Sequence, residues 1–284
     1  MQWHPLFAYL LRPLLQDYYD VETNVSVGDL PRSADITLLR RTAAGPIPFK
    51  AIWSHLTPWN VLEFKGPTVD PRLTDPDLLI EVGLGVERRL NDEQERQRQP
   101  RVGRGEVSYW YIANHLGWRF LAEVELLLGH PPERLGEGLW RFSCLGRSLF
   151  LVSNDLLPVD RESVPLHLVS REPRERELEL ARQVVMQPGF WKTYGPWLAY
   201  LHPEILKEVQ AMAKTAEIKL DLDLDIRPLI AQLGVPTIVH QMDVKAVVDA
   251  LGMDAKAVVD ALGVEQILSS LTPEQREEFK RRLQ

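Results

Sequence analysis

The chain has 284 residues, 45% of them apolar and 26% charged, which supplies a sizeable core and argues against wholesale disorder. Its net charge of -7 argues against a protein that coats nucleic acid, because such binding needs Lys and Arg to neutralise phosphates. The single cysteine, Cys144, excludes an intramolecular disulfide and a thiolate metal cage.

The opening stretch Met1–Leu15 is apolar but broken by His4, Pro5, Arg12 and Pro13. Without a basic leader or a small-residue cleavage site it does not read as a signal peptide. No stretch approaches the roughly 20 apolar residues that span a bilayer. The expectation is a soluble cytoplasmic protein with no membrane partner.

Leu6, Phe7, Leu10, Leu11, Leu14 and Leu15 recur at helical spacing and predict a first helix from near Pro5 to about Tyr19. Val21, Val25 and Val27 predict a short strand closing at Gly28-Asp29, and Ile36, Leu38 and Leu39 a second. A segment rich in Gly and Pro then leads into Trp59–Lys65, an apolar run stopped by Gly66-Pro67 and therefore a third strand. Helical spacing returns from Asp75 to about Leu90, with Pro76 in the first turn. Glu87–Arg104 reads as a solvated helix end and a mobile loop. Val107–Ile112 is strand-like, as are Leu139–Cys144, Leu149–Val152 and Val164–Val169. The order helix, strands, helix, strands reads as α/β or α+β.

Charges cluster at Arg171–Glu179, and beyond them the chain reads as mostly helical, with an alternating linker over Ile218–Ile226. Asp243–Gly252 recurs almost unchanged as Asp254–Gly263, offset by eleven residues, with fainter copies on either side. Units this short cannot bury an apolar face alone, so they must stack on one another or on a partner. The domains expected are 1–170 as the α/β core, 171–224 as helical extension and linker, and 225–284 as short helical repeats. The repeats suit self-association or a protein partner.

Glu63 and Lys65 stand at i and i+2 on the third strand, so they share a face while Phe64 turns into the core. Asp35 lies on the preceding strand, where hairpin-like pairing would bring it beside Glu63. Converging carboxylates make an oxygen site for a hard cation, and a nearby ammonium stabilises charge developing on a phosphate. The bland alternative is a surface ion pair beside a sheet. Glu-x-Lys recurs at Glu217–Lys219 and Glu278–Lys280, but the first of these has no Asp close upstream and the second lies in a helical tail.

The segments Leu30-Pro-Arg-Ser-Ala-Asp35-Ile-Thr-Leu-Leu39 and Asn60-Val-Leu-Glu-Phe-Lys65-Gly66 resemble the PD-(D/E)XK nuclease superfamily. Within it they look like the recombination-promoting nuclease/putative transposase (Rpn) group, whose Arg-x-(Ala/Ser)-Asp strand matches Arg32–Asp35. The resemblance covers about residues 1–125 and, more loosely, the tail. It implies a restriction-endonuclease-like αβββαβ core with a mixed central sheet, followed by a mostly helical C-terminal region. It also implies Asp35, Glu63 and Lys65 as catalytic residues and Mg²⁺ or Mn²⁺ on Asp35, Glu63 and the Phe64 carbonyl. It further implies an acidic ligand on the first helix, for which Asp17 is the candidate, with Glu22 just beyond the helix. The implied activity is DNA cleavage, linked to mobile elements or defence. The alternative is an inactive nuclease-fold binding module whose repeat tail is the working part.

Other features read more plainly. Arg88, Arg89, Arg96, Arg98, Arg101 and Arg104 are diluted by acids and favour a solvated segment over a phosphate-binding loop. Tyr109, Trp110 and Tyr111 read as core rather than base-stacking residues, and His55 and His115 as scaffold. Gly83 and Gly85 suggest a tight helix–sheet contact, since the strand and glycine pattern of a phosphate loop is absent. Ser143 and Ser153 lack a nucleophile-elbow context.

Overall fold

A computed structural model describes residues 3–26, 33–187, 189–205, 208–209 and 211–212. The expected repeats over 225–284, the 218–226 linker and the two later Glu-x-Lys motifs lie outside these residues. The chain divides into two compact units, one ending at Pro173 and the other beginning at Arg174.

The first unit is a mixed α/β core. Helix α1 (Trp3–Leu15) buries Leu6, Phe7, Leu10, Leu11 and Leu15, the face its apolar spacing dictates. It stops four residues short of Tyr19, which already belongs to β1 (Tyr19–Ser26). Strands β2 (Ser33–Arg41) and β3 (Trp59–Phe64) complete an antiparallel meander. Helix α2 (Asp75–Arg96) then crosses over to β4 (Val107–Ala113), which runs parallel to β3. Helix α3 (Trp118–Leu128) precedes β5 (Glu133–Gly136), β6 (Leu139–Cys144) and β7 (Arg147–Ser153). The sheet order is β1-β2-β3-β4-β7-β6-β5, so the parallel strands β3, β4 and β7 occupy the centre.

Parallel central strands are covered on both faces, and every residue of β4 is accordingly buried. One face carries Val61, Tyr109, Tyr111, Leu149 and Leu151 against Leu79, Val86 and Leu90 of α2 and Phe120 and Val124 of α3. On the other, Phe64 stacks on Phe7 of α1 at 4.5 Å, and Trp110 stacks on Phe150 at 4.2 Å. The buried Asn60 carboxamide is satisfied there: its oxygen accepts from the Thr57 amide and the Ser108 hydroxyl, and its nitrogen donates to the Thr57 carbonyl.

Several local expectations are corrected. Val164–Val169 is not a strand but a short helix, α4 (Val164–Leu168), with Pro165 in its first turn. All five of its residues are buried, which is why the apolar run carries no period. Helix α3 and strand β5 add to the expected elements. The former ends on Gly129 in the left-handed region (φ 74°), a conformation that costs glycine little. Helix α2 runs on to Arg96, past the expected end near Leu90, and the loop after it carries two backbone-to-side-chain hydrogen bonds. The Val102 amide donates to Asn91 Oδ1 at 2.8 Å and the Gly103 amide to Glu106 Oε2 at 2.7 Å.

The second unit, as far as it is described, is largely helical. Helices α5 (Arg174–Met186) and α6 (Phe190–Leu201) pack on each other and bury Leu180, Val184, Tyr194 and Trp197. His202 Nδ1 lies 3.0 Å from Glu177 Oε1, and Arg174 bonds to Glu208. No helix among the described residues is long and apolar enough to cross a membrane.

Candidate functional site

Strand β3 delivers its last residues to the carboxyl edge of the parallel strands, where open α/β sheets bind ligands. Phe64 is buried and anchored by Phe7, so Glu63 turns to the opposite face. The strand proper ends at Phe64, yet the Lys65 amide still donates to the Ile112 carbonyl at 2.8 Å. That extra rung keeps Lys65 in step with Glu63. Its Nζ lies 2.9 Å from Glu63 Oε1, with both side chains about four-fifths buried.

A second carboxylate holds the same ammonium. Asp75 Oδ2 lies 3.5 Å from Lys65 Nζ, and its side chain is only 7% exposed. It accepts the Tyr111 hydroxyl at 2.6 Å and the Arg72 amide at 3.0 Å. Tyr111 sits on β4 directly across from Glu63. Burial, then the hydrogen bond to Asp75 and the charges of Asp75 and Glu63, push its hydroxyl well above the ordinary tyrosine value. The Lys65 ammonium is also 6.0 Å from the centre of the Tyr111 ring.

The start of α1 closes one side. A Cβ on Gly66 would stand 2.3 Å from the Trp3 ring, so the chain after Lys65 passes the helix as closely as glycine allows. This approach brings His4 Nε2 to 3.8 Å from Glu63 Oε1.

Asp35 stands on β2, the strand beside β3, but the β2–β3 ladder ends at Thr37↔Leu62. Continued in register, it would set Ile36 across from Glu63 and Asp35 across from Phe64, one residue away from the simple hairpin expectation. Against β1, however, Ala34 pairs with Val25 and Thr37 with Thr23, so β2 carries one extra residue in this stretch. Asp35 and Ile36 thus lie at a bulge in the backbone ladder.

Asp17 does not join the cluster. It is exposed in the turn beyond α1, whereas His4, at the other end of that helix, is the residue beside Glu63. The eleven helical steps from His4 to Leu15, the last residue of the helix, already rise about 16 Å. The neighbouring Tyr19 pairs with Arg41, at the far end of β2 from Asp35.

Asp75, Tyr111 and His4 escaped the sequence reading. One signal was present for Asp75: it opens the Pro76-marked helix that crosses from β3 to a parallel neighbour. The first turn of such a helix must lie near the carboxyl end of the strand it leaves. His4 and Tyr111 carry no comparable mark.

The remaining features are structural. Arg89 pairs with Glu93, Arg101 with Glu95, and Arg147 forms a buried bidentate pair with Glu87. Tyr109, Trp110 and Tyr111 are fully buried. Ser153 Oγ donates to Asp155 and accepts the Leu116 amide, while His115 Nδ1 meets Asp155 at 2.6 Å.

No protein-family model, no curated protein and no solved structure matches the chain. Among the described residues no group of three or more His, Cys, Asp or Glu side chains is disposed to hold a metal ion. The cluster is two carboxylates, Glu63 and Asp75, sharing one ammonium, with the His4 ring beside Glu63.

Proposed function

We propose that the carboxyl end of β3 is the active site of a divalent-metal-dependent DNA endonuclease of PD-(D/E)XK type, built on a restriction-endonuclease-like form of the α/β fold. The observation that carries this reading is the Glu63 carboxylate beside the Lys65 ammonium, 2.9 Å apart at the edge of the central parallel strands. One group of the pair suits a cation and the other a phosphate. The element order α1-β1-β2-β3-α2-β4, with β4 parallel to β3, supports the reading because it is the order the superfamily resemblance implies.

The carboxylate oxygens of Glu63 and Asp75 are the donor type that a hard cation takes. Mg²⁺ or Mn²⁺ would be held by Glu63, the Phe64 carbonyl and Asp35. Bound there, the metal supplies polarisation of the phosphodiester and a water of lowered pKa. Lys65 donates a hydrogen bond to a phosphate oxygen and offsets charge that grows there. The floor beneath it, Tyr111 and Asp75, is buried and excludes water from that side. A mobile-element or defence target, and self-association or partner binding through 225–284, belong to the same proposal.

The alternative reading is an inactive nuclease-fold module that works through its tail. Titration with Mn²⁺ followed by electron paramagnetic resonance separates the two. The nuclease reading requires saturable binding that weakens at least tenfold in both Glu63→Ala and Asp35→Ala. Absence of saturable binding to the intact chain overturns it and leaves the second reading.

A further inference from the structure

We propose that Asp75 is a positioning residue for Lys65, an inference that rests on the nuclease reading of the site. Lys65 Nζ sits between two carboxylates, Glu63 at 2.9 Å and Asp75 at 3.5 Å. The two are not equivalent. Glu63 is on the exposed side of the pair, at 19% side-chain exposure, and is the group a cation would engage. Asp75 is the more buried, at 7%, and its Oδ2 is fixed from two directions by the Tyr111 hydroxyl and the Arg72 amide.

A long lysine side chain released by its only partner would sample many rotamers, and ordering it again costs conformational entropy. Once Glu63 turns to a cation, Asp75 remains as the anchor that keeps Nζ at the edge of the site. The network is directional: β4 holds Tyr111, Tyr111 holds Asp75, Asp75 holds Lys65, and Lys65 faces the phosphate. Asp75 therefore acts on the reaction through Lys65 and touches neither metal nor substrate. The same geometry explains why a carboxylate is buried at the first turn of α2, where the helix dipole also favours it.

Asp75→Asn keeps an oxygen for the Tyr111 hydroxyl and removes the charge that holds Lys65. Tyr111→Phe instead frees the carboxylate and provides a second variant should the first fold poorly. Two readouts are needed. The first is the rate of reductive methylation of each lysine, read by mass spectrometry. Labelling of Lys65 should rise at least threefold in either variant, with the exposed Lys50 unchanged as the internal reference. Equal labelling of Lys65 in wild type and both variants overturns the proposal.

The second readout is single-turnover plasmid cleavage with Mn²⁺. Asp75→Asn should lower the maximal rate 10- to 100-fold with Mn²⁺ and DNA half-saturation unchanged within twofold. In the Lys65→Ala background it should add no further loss, because a residue acting through Lys65 has nothing left to position. Additive losses, or a tenfold weaker Mn²⁺ response in Asp75→Asn, would instead make Asp75 a metal ligand. If the wild-type chain cuts nothing, the nuclease reading fails, and the labelling result alone decides whether Asp75 positions Lys65.

Discussion

Replacing Gly83 by alanine sets two well-known effects against each other. In an unencumbered helix interior the change stabilises by about 1 kcal/mol, because alanine is the better helix former. Here the new Cβ would stand 2.4 Å from Tyr109 Cε1 and 2.7 Å from Cδ1 and Cζ. Carbon atoms pack comfortably at about 3.5–4.0 Å, so the overlap is on the order of 1 Å. Tyr109 cannot turn aside, since it is fully buried in the middle of β4. Instead α2 must lift, loosening Leu79, Val86 and Leu90 over the same sheet face. Overpacking of this kind costs about 1–3 kcal/mol, and the strain here belongs at the upper end. The expected balance is a net loss of about 1–2 kcal/mol. Urea unfolding should show a lower midpoint with the same slope, and Gly83→Ala/Tyr109→Leu should lose less than the two single changes combined. A Gly83→Ala protein more stable than wild type would refute the helix–sheet contact as the reason for glycine at this position.

Three further outcomes are expected. Glu87→Ala strands the buried Arg147 guanidinium, which Glu87 now holds through two hydrogen bonds of 2.5 and 2.7 Å. The expected loss is about 3–5 kcal/mol, read as a lowered melting temperature, and an unchanged melt would contradict it. Burial pushes the Cys144 thiol above its usual value, so iodoacetamide at pH about 8 should leave it unmodified until urea is added. Burial likewise raises the hydroxyls of Tyr19, Tyr109, Tyr111 and Tyr200. The folded chain keeps protons that the unfolded chain releases above pH about 10, so this contribution is constant below that pH and stability falls as pH rises past it. Urea midpoints measured from neutral to strongly alkaline pH should stay level and then drop; a fall well below that threshold would need another cause.

Where local chemistry dominates, the sequence was readable. The run Trp59–Lys65 stopped by Gly66-Pro67 gave β3, and Pro76 ahead of a helical period gave the start of α2. Alternation alone put Phe64 in the core and Glu63 with Lys65 on the other face. Tertiary facts were not readable in the same way. Val164–Leu168 is buried all round, so its helix has no polar face to betray it. The β2–β3 ladder stops at Thr37↔Leu62, short of Asp35, and β2 carries an extra residue against β1 there, which no pattern within one strand announces. Asp75 and His4 reach Lys65 and Glu63 only because the crossover helix and the first helix both begin at the same edge of the sheet. In each case the missing information was a register or a packing approach.

Cleavage of supercoiled plasmid by the purified full-length protein tests the central claim most directly. Reactions with Mg²⁺ or Mn²⁺ are run beside metal-free controls and beside Asp35→Ala, Glu63→Ala and Lys65→Ala. The account predicts metal-dependent nicking or linearisation by the wild type and a loss of at least 100-fold in each variant, the scale on which single electrostatic groups act in such sites. No cleavage by the intact chain with either metal, or cleavage that survives Lys65→Ala, would contradict it.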